Sequence, residues 1–224
     1  QESIVLFNNV TIHSPDHSEA WMYLGKAYAQ LDQDQFAIDS LEQCLALDPY
    51  NLQALLMLGV SYSNNYSQHT AVTYLSRWMS NHPDYCDIVD TSTVDRLLQD
   101  IENNINTTAT TTSGNSFSDS QHENATSLQQ LVDATLAMFS EAVEVNTNDV
   151  QLFTVLGVLY HISGNYNEAT RAFHNACQLQ PNNAEMWNKL AAVIANGGDN
   201  VNAVPFYEKA LKLRPNYLRA KTNL

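Results

Sequence analysis

Few residues in this chain are spaced for covalent chemistry. His13 and His17 are four apart, a separation that holds a metal when both lie on one helix, but Pro15 stands between them and breaks that helix. His161 and His174 read as packed or surface imidazoles, and no phosphate-cradling glycine loop, HExxH or GxSxG occurs. Cys44, Cys86 and Cys177 are odd in number, far apart and outside any CxxC pair, which suits buried thiols in a reducing compartment. Neither an enzyme nor a bound metal or cofactor is expected. What remains is amide chemistry. The stretch MWNKLAAVIANGGD (186–199) reads as an amphipathic helix ending at Gly197–Gly198, with Trp187, Leu190, Ala191 and Ile194 on its apolar stripe. Asn188, Lys189 and Asn196 lie off that stripe. An asparagine amide both donates and accepts, so a row of them can hold peptide backbone or a terminal carboxylate.

Charge narrows the choice of ligand. The 224 residues carry 24 acidic and 10 basic side chains, a formal net charge of −14. Phosphate would be repelled, so nucleic acid is excluded as a partner, whereas a basic peptide would be drawn in. Only 7 Gly and 6 Pro are present, too few for the many tight turns of an all-β fold, so helices are favoured. No apolar run approaches the ~18 residues of a membrane span and no signal peptide is visible, which leads us to expect a cytosolic protein.

The elements that position these residues follow from a repeat. Pro15, Pro49 and Pro83 are 34 residues apart, and so are Pro181 and Pro215. That is the period of the tetratricopeptide unit, a pair of antiparallel helices. Other positions keep step. One unit gives Trp21, Leu24, Gly25 and Tyr28, then Ala37, Leu41 and Cys44; the next gives Leu55, Leu58, Gly59 and Tyr62, then Ala71, Leu75 and Trp78. Later units repeat the pattern from Phe153 to Pro181 and from Trp187 to Pro215. Gly25, Gly59, Gly157 and Ala191 are small where the two helices of a unit cross, and the large residues fill the gap between units. A single unit cannot bury both faces, so neighbours stack into an all-α superhelix.

Between Pro83 and Thr147 the register slips. Residues 84–127 are rich in Asn, Thr, Ser and Asp, and 106–121 is low-complexity and expected to be disordered, while Val94–Ile101 suits a short helix. A helix is expected to resume near Ser127. The chain thus divides into a first repeat cluster (1–83), a degenerate repeat with a low-complexity hinge (84–127) and a second cluster (128–224). Residues 1–15 fit only a second helix, and 216–224 begin a first helix and stop, so the chain is expected to be a piece of a longer array. Pro205 falls inside a predicted helix, which should start late, near Ala203, or kink there.

In such an array the second, fifth, ninth, twelfth and thirteenth positions of each first helix face a concave groove. They are Glu19, Met22, Lys26, Ala29 and Gln30; Gln53, Leu56, Val60, Ser63 and Asn64; Gln151, Thr154, Val158, His161 and Ile162; and Glu185, Asn188, Ala192, Ala195 and Asn196, with Arg219 and Thr222 beginning the last helix.

The segments AWMYLG (20–25), ALLMLGVSYSNN (54–65), LGVLYHISGNYNEA (156–169), MWNKLAAVIANG (186–197) and PNYLRAKTNL (215–224) resemble the tetratricopeptide domain of the peroxisomal import receptors for C-terminal Ser-Lys-Leu-type signals. The resemblance covers nearly the whole chain. It implies a groove that takes the last residues of a cargo protein for import into peroxisomes. Asn64, Asn188 and Asn223 would grip the terminal carboxylate and backbone with help from Arg219, and Asn196 would hold backbone further back. Val60, Ser63, Lys189 and Ala192 would shape the pocket for the terminal Leu. It further implies a cytoplasmic receptor that cycles to the peroxisomal membrane, where a disordered N-terminal half, absent from this chain, meets docking proteins. Three departures stand out. Asn65 replaces a usual acidic residue, Ala191–Ile194 replaces a usual Gly-Ala-Thr-Leu, and the chain stops after Leu224. A scaffold that uses the same fold to bind another protein's C-terminus or surface is the alternative reading.

Overall fold

A computed structural model describes residues 2–87, 90, 92–100 and 117–224, with the side chains of 117–126 left out. Every regular element among the described residues is a helix. In chain order they are α1 (Glu2–His13), α2 (Ser18–Gln30), α3 (Asp34–Leu47), α4 (Leu52–Asn64), α5 (Gln68–Asn81), α6 (92–100), α7 (Phe117–Val145), α8 (Val150–Ile162), α9 (Tyr166–Leu179), α10 (Ala184–Asn196), α11 (Asn200–Leu213) and α12 (Leu218–Asn223). Four antiparallel pairs, α2–α3, α4–α5, α8–α9 and α10–α11, are the repeat units, and the protein is a tetratricopeptide-repeat superhelix.

The small residues act where the period placed them. A Cβ on Gly157 would sit 2.6 Å from Cε2 and Cζ of Phe173, and one on Gly25 would sit 2.6 Å from Cγ of Leu41. The crossing therefore leaves no room for a methyl group. Each turn between paired helices passes through one left-handed residue: Asp32 (φ 62°), Tyr66 (φ 60°), Gly164 (φ 73°) and Gly198 (φ 93°). Several asparagines are consumed by the scaffold. The side chains of Asn51, Asn165 and Asn183 accept backbone N–H bonds at the starts of α4, α9 and α10. Trp21 and Trp187 close their units alike, each indole N–H donating to the carbonyl of the proline six residues earlier, at 2.9 and 2.8 Å.

Three expectations change. Helix α7 begins at Phe117 instead of near Ser127, so residues 117–121 are helical where disorder was expected; the rest of the low-complexity stretch, 106–116, lies outside the described residues. No Gly or Pro occurs between Gly114 and the end of α7, so nothing in the polar stretch breaks a helix extending backwards. The short helix expected over 94–101 is present over 92–100, with Ile101 outside the described residues. Pro205 neither delays nor interrupts α11, which starts at Asn200 and runs through it. The carbonyl left without a donor is that of Val201, which belongs to a residue 82% exposed to solvent.

One hydrophobic core spans the interruption. Fully buried Trp78 of α5 stacks on Phe139 of α7 at 5.9 Å between centroids, and buried Tyr85 donates its hydroxyl to Asp149 Oδ2 at 2.8 Å, just ahead of α8. From this shared base the two ends of the superhelix curve towards each other. Gln30 Nε2 donates to Glu185 Oε1 at 2.9 Å, and Arg219 of α12 reaches the turn between α2 and α3. The first helices α2, α4, α8, α10 and α12 thus surround a common groove.

Candidate peptide-binding groove

Among the described residues, the cavities along the groove include three that hold its counted positions. The smallest, about 80 Å³, is walled by Val60, Ser63 and Asn64 of α4, by Lys189, Ala192 and Asn196 of α10, and by Val158, His161 and Phe173. Those first six are six of the nine residues singled out in the sequence. A wider cavity of about 700 Å³ adds Arg219 and Asn223 of α12 to Ser63, Asn64, Ala192 and Asn196. The third, about 280 Å³, lies along the other groove positions, among them Lys26, Gln53, Leu56, Gln151, Thr154 and Glu185, and shares Val60, Lys189 and Arg219. Most groove positions counted from the repeat register line these cavities; Glu19, Met22, Asn188 and Thr222 do not.

Of the nine residues singled out in the sequence, Asn188 is the exception. It is only 3% exposed and lines none of these cavities; its Oδ1 accepts a long 3.4 Å bond from Asn223 Nδ2. α12 packs against α10, and its Asn223 is the residue that meets the Asn188 amide. Asn64 is exposed, and its Nδ2 donates to Asp34 Oδ1 at 3.4 Å, a weak bond. Asn196 is exposed, with Nδ2 2.9 Å from His161 Nε2.

The cations are held in opposite ways. Arg219 is bound by carboxylates, with Nη2 2.6 Å from Asp34 Oδ2 and Nε 2.9 Å from Asp32 Oδ1. Burial opposes its charge, yet the Asp34 hydrogen bond and the two carboxylates outweigh that and raise its pKa further. Lys189 has no hydrogen-bond or ion-pair partner among the described residues. Its stem keeps some surface, but the ammonium lies deep in the groove, and burial pushes it down to about 8, with Glu185 opposing and Arg219 adding to the effect. Glu185 and Asp34 act on this ammonium only at a distance, so a bound anion would stabilise its charged form. His161 beside it is held below the ordinary imidazole range, first by burial and then by Lys189.

Sequence reasoning missed Asp32, Asp34, Tyr66 and Tyr166, which line the wide cavity. Asp34 reads locally as an acidic residue opening a helix, and its tie to Arg219 spans 185 residues, so no local pattern carries it. His161 was legible as a groove position only. Among the described residues no group of three His, Cys, Asp or Glu side chains could hold a metal, and no helix is long and apolar enough to cross a membrane.

Comparison with known proteins identifies the family. A tetratricopeptide-repeat model matches residues 18–51, and a model of the CABIN1 N-terminal domain matches 118–223. A peroxisomal targeting signal receptor of Kluyveromyces lactis is 31% identical over 223 residues, covering 100% of this chain and 34% of the relative. The chain belongs to the peroxisomal targeting signal receptor family. The PEX5-related protein of Homo sapiens is 32% identical over 197 residues (87% of this chain, 28% of the relative). Peroxisome biogenesis protein 5 of Arabidopsis thaliana is 34% identical over 173 residues (77% of this chain, 19% of the relative). The chain thus spans about a third, at most, of the length of these relatives. Within this receptor-family chain, the groove offers side-chain amides from α4, α10 and α12 around one unpaired ammonium. That combination can bind an anion flanked by peptide backbone.

Proposed function

We propose that this domain binds the C-terminal Ser-Lys-Leu-type signal of peroxisomal cargo proteins, as the recognition part of an import receptor. The observation that carries the reading is Lys189, an ammonium with no hydrogen-bond or ion-pair partner among the described residues, lining a small pocket with Val60, Ser63, Asn64, Ala192 and Asn196. A terminal carboxylate supplies the missing counter-charge, and the pocket's apolar wall of Val60, Val158 and Phe173 receives the terminal Leu side chain. Asn64, Asn196 and Asn223 hold backbone and carboxylate; Asn188 joins them once Asn223 turns from it towards the peptide. A basic penultimate residue is favoured by the net charge of −14. The domain acts by binding, without catalysis, metal or cofactor.

The names of the relatives support this reading, and the wider activity is proposed with it: a cytoplasmic receptor that cycles to the peroxisomal membrane and meets docking proteins through a separate N-terminal region. The division into 1–83, 84–127 and 128–224 is proposed as a division of motion. Because Trp78, Phe139 and Tyr85 pack the base, adjustment on peptide entry takes place at the open ends of the two clusters.

The test is fluorescence anisotropy with a labelled peptide ending in Ser-Lys-Leu and the same peptide amidated at its C-terminus. Binding that amidation abolishes is expected. Equal affinity for both would overturn the proposal and favour the alternative, a scaffold binding another protein by a different surface.

A further inference from the structure

Asn196 and His161 face each other across the groove wall, Nδ2 to Nε2 at 2.9 Å. An amide nitrogen only donates, so the imidazole nitrogen opposite must be bare and accept. That fixes His161 as the neutral form with its proton on Nδ1. It also fixes Asn196: with its NH₂ held to the ring, the hydrogen-bonding atom left to a ligand is the acceptor Oδ1, and both residues line the same two cavities. Resting on the peptide-binding reading above, we infer that His161 is a positioning residue which commits Asn196 to act as a hydrogen-bond acceptor, so that this wall selects a backbone N–H of the bound peptide.

The surroundings keep the pair in this state near neutral pH. Lys189 of α10 faces the same small pocket and repels a second cation; Tyr166 of α9 stands edge-on to the imidazole at 5.8 Å. Across the wide cavity Arg219 is already matched by Asp32 and Asp34. Burial and Lys189 together hold the imidazole below its ordinary range. Protonation would put a hydrogen on both ring nitrogens. Nε2 would then have to donate, and the Asn196 amide would rotate by half a turn to offer its oxygen to the ring and its NH₂ to the groove. The acceptor that reads the peptide N–H would become a donor.

The experiment compares a Ser-Lys-Leu-ending peptide with analogues in which each of the last backbone amides in turn is replaced by an ester, which removes one N–H and keeps the chain. At about pH 7.5 one ester position is expected to bind about tenfold more weakly than the amide peptide. That ratio should fall towards 1 as the pH is lowered below the imidazole range, to about pH 5. Protonation also adds a cation near the peptide carboxylate, but this acts alike on ester and amide and cancels in the ratio. In His161→Leu the ratio should not change with pH. A wild-type ratio that stays constant with pH at every ester position overturns the inference, as does a ratio in His161→Leu that still follows pH. Nitrogen NMR of the peptide-free protein decides the same point separately: the Nδ1–H tautomer of His161 is expected at neutral pH, and the Nε2–H tautomer would overturn it. If neither peptide binds, the proposed function fails while the tautomer still decides this inference.

Discussion

Arg219 Nη2 lies 2.6 Å from Asp34 Oδ2, joining the last helix to the first complete repeat across 185 residues of sequence. The two carboxylates on this guanidinium are unequal. The Asp34 side chain is 17% exposed and that of Asp32 is 44% exposed, against 13% for Arg219. Removing one partner of a buried pair leaves a charge uncompensated, whereas an exposed partner is largely replaced by water. Asp34→Ala should therefore weaken the local stability of α12 by about 2 kcal/mol, and Asp32→Ala by less than about 1 kcal/mol. Hydrogen exchange of the α12 amides measures this, with α8 as the internal reference. Equal loss in the two variants would show that the clasp does not rest on Asp34.

Gly157 faces the ring of Phe173, with Cε2 and Cζ both 2.6 Å from where a Cβ would stand. The ring is flat and fully packed, so it yields by moving as a whole. Gly157→Ala is expected to destabilise the fold by about 1–3 kcal/mol despite the better helix propensity of alanine. Urea unfolding with the wild-type m-value checks it. The loop glycine Gly164 makes a contrast: no atom lies within 4 Å of its Cβ position, so Gly164→Ala costs only the left-handed backbone term, about 1–2 kcal/mol.

How much of this was open to sequence reading depended on distance along the chain. Each repeat unit is decided within 34 residues, so Gly25, Gly59, Gly157, the groove positions and the cavity wall of Val60, Ser63, Asn64, Lys189, Ala192 and Asn196 were all accessible. The Arg219 clasp was not. It exists because small rotations summed over the stacked units bring the ends together, and no single unit encodes that sum. The exposure of Asn188 was misjudged for the same reason, since the helix that covers it belongs to the next unit. The start of α7 failed differently. Polarity in 117–121 was read as disorder, but a run without Gly or Pro can extend a helix nucleated elsewhere.

Asn188 is 3% exposed and shares one long bond with Asn223. In the proposed complex it donates to a carboxylate, and one hydrogen bond to a charged group is worth about 1.5–3 kcal/mol. Asn188→Ala should weaken Ser-Lys-Leu peptide binding by about 10- to 150-fold. Its effect on urea unfolding should stay below about 1 kcal/mol, because the bond it loses in the free protein is a weak one. Anisotropy and unfolding on the same variant separate the two. Unchanged affinity would remove Asn188 from the site.

Lys189 should oppose function to stability. Its folded pKa, about 8, is below its ordinary 10.5 because burial penalises the ammonium. A lysine lowered in this way weakens the folded state wherever it is protonated in both states, which is the whole range below about 8. Between 8 and 10.5 the unfolded chain keeps a proton that the folded chain has released, so this group makes stability rise with pH. Lys189→Met removes the charge and roughly keeps the volume. The variant should be more stable than wild type at pH 7, by about 1–3 kcal/mol, with the advantage shrinking as pH rises towards 10.5. Cys44, Cys177 and several tyrosines also titrate at alkaline pH with raised pKa values, but they are common to both proteins and cancel in the difference. The same substitution deprives a bound carboxylate of its counter-charge, so peptide affinity should fall by about 10-fold or more. Urea midpoints across pH and anisotropy at pH 7 measure both effects. A methionine variant less stable than wild type at pH 7 would mean that Lys189 already has its anion within the fold, and the groove would then have no need of a carboxylate.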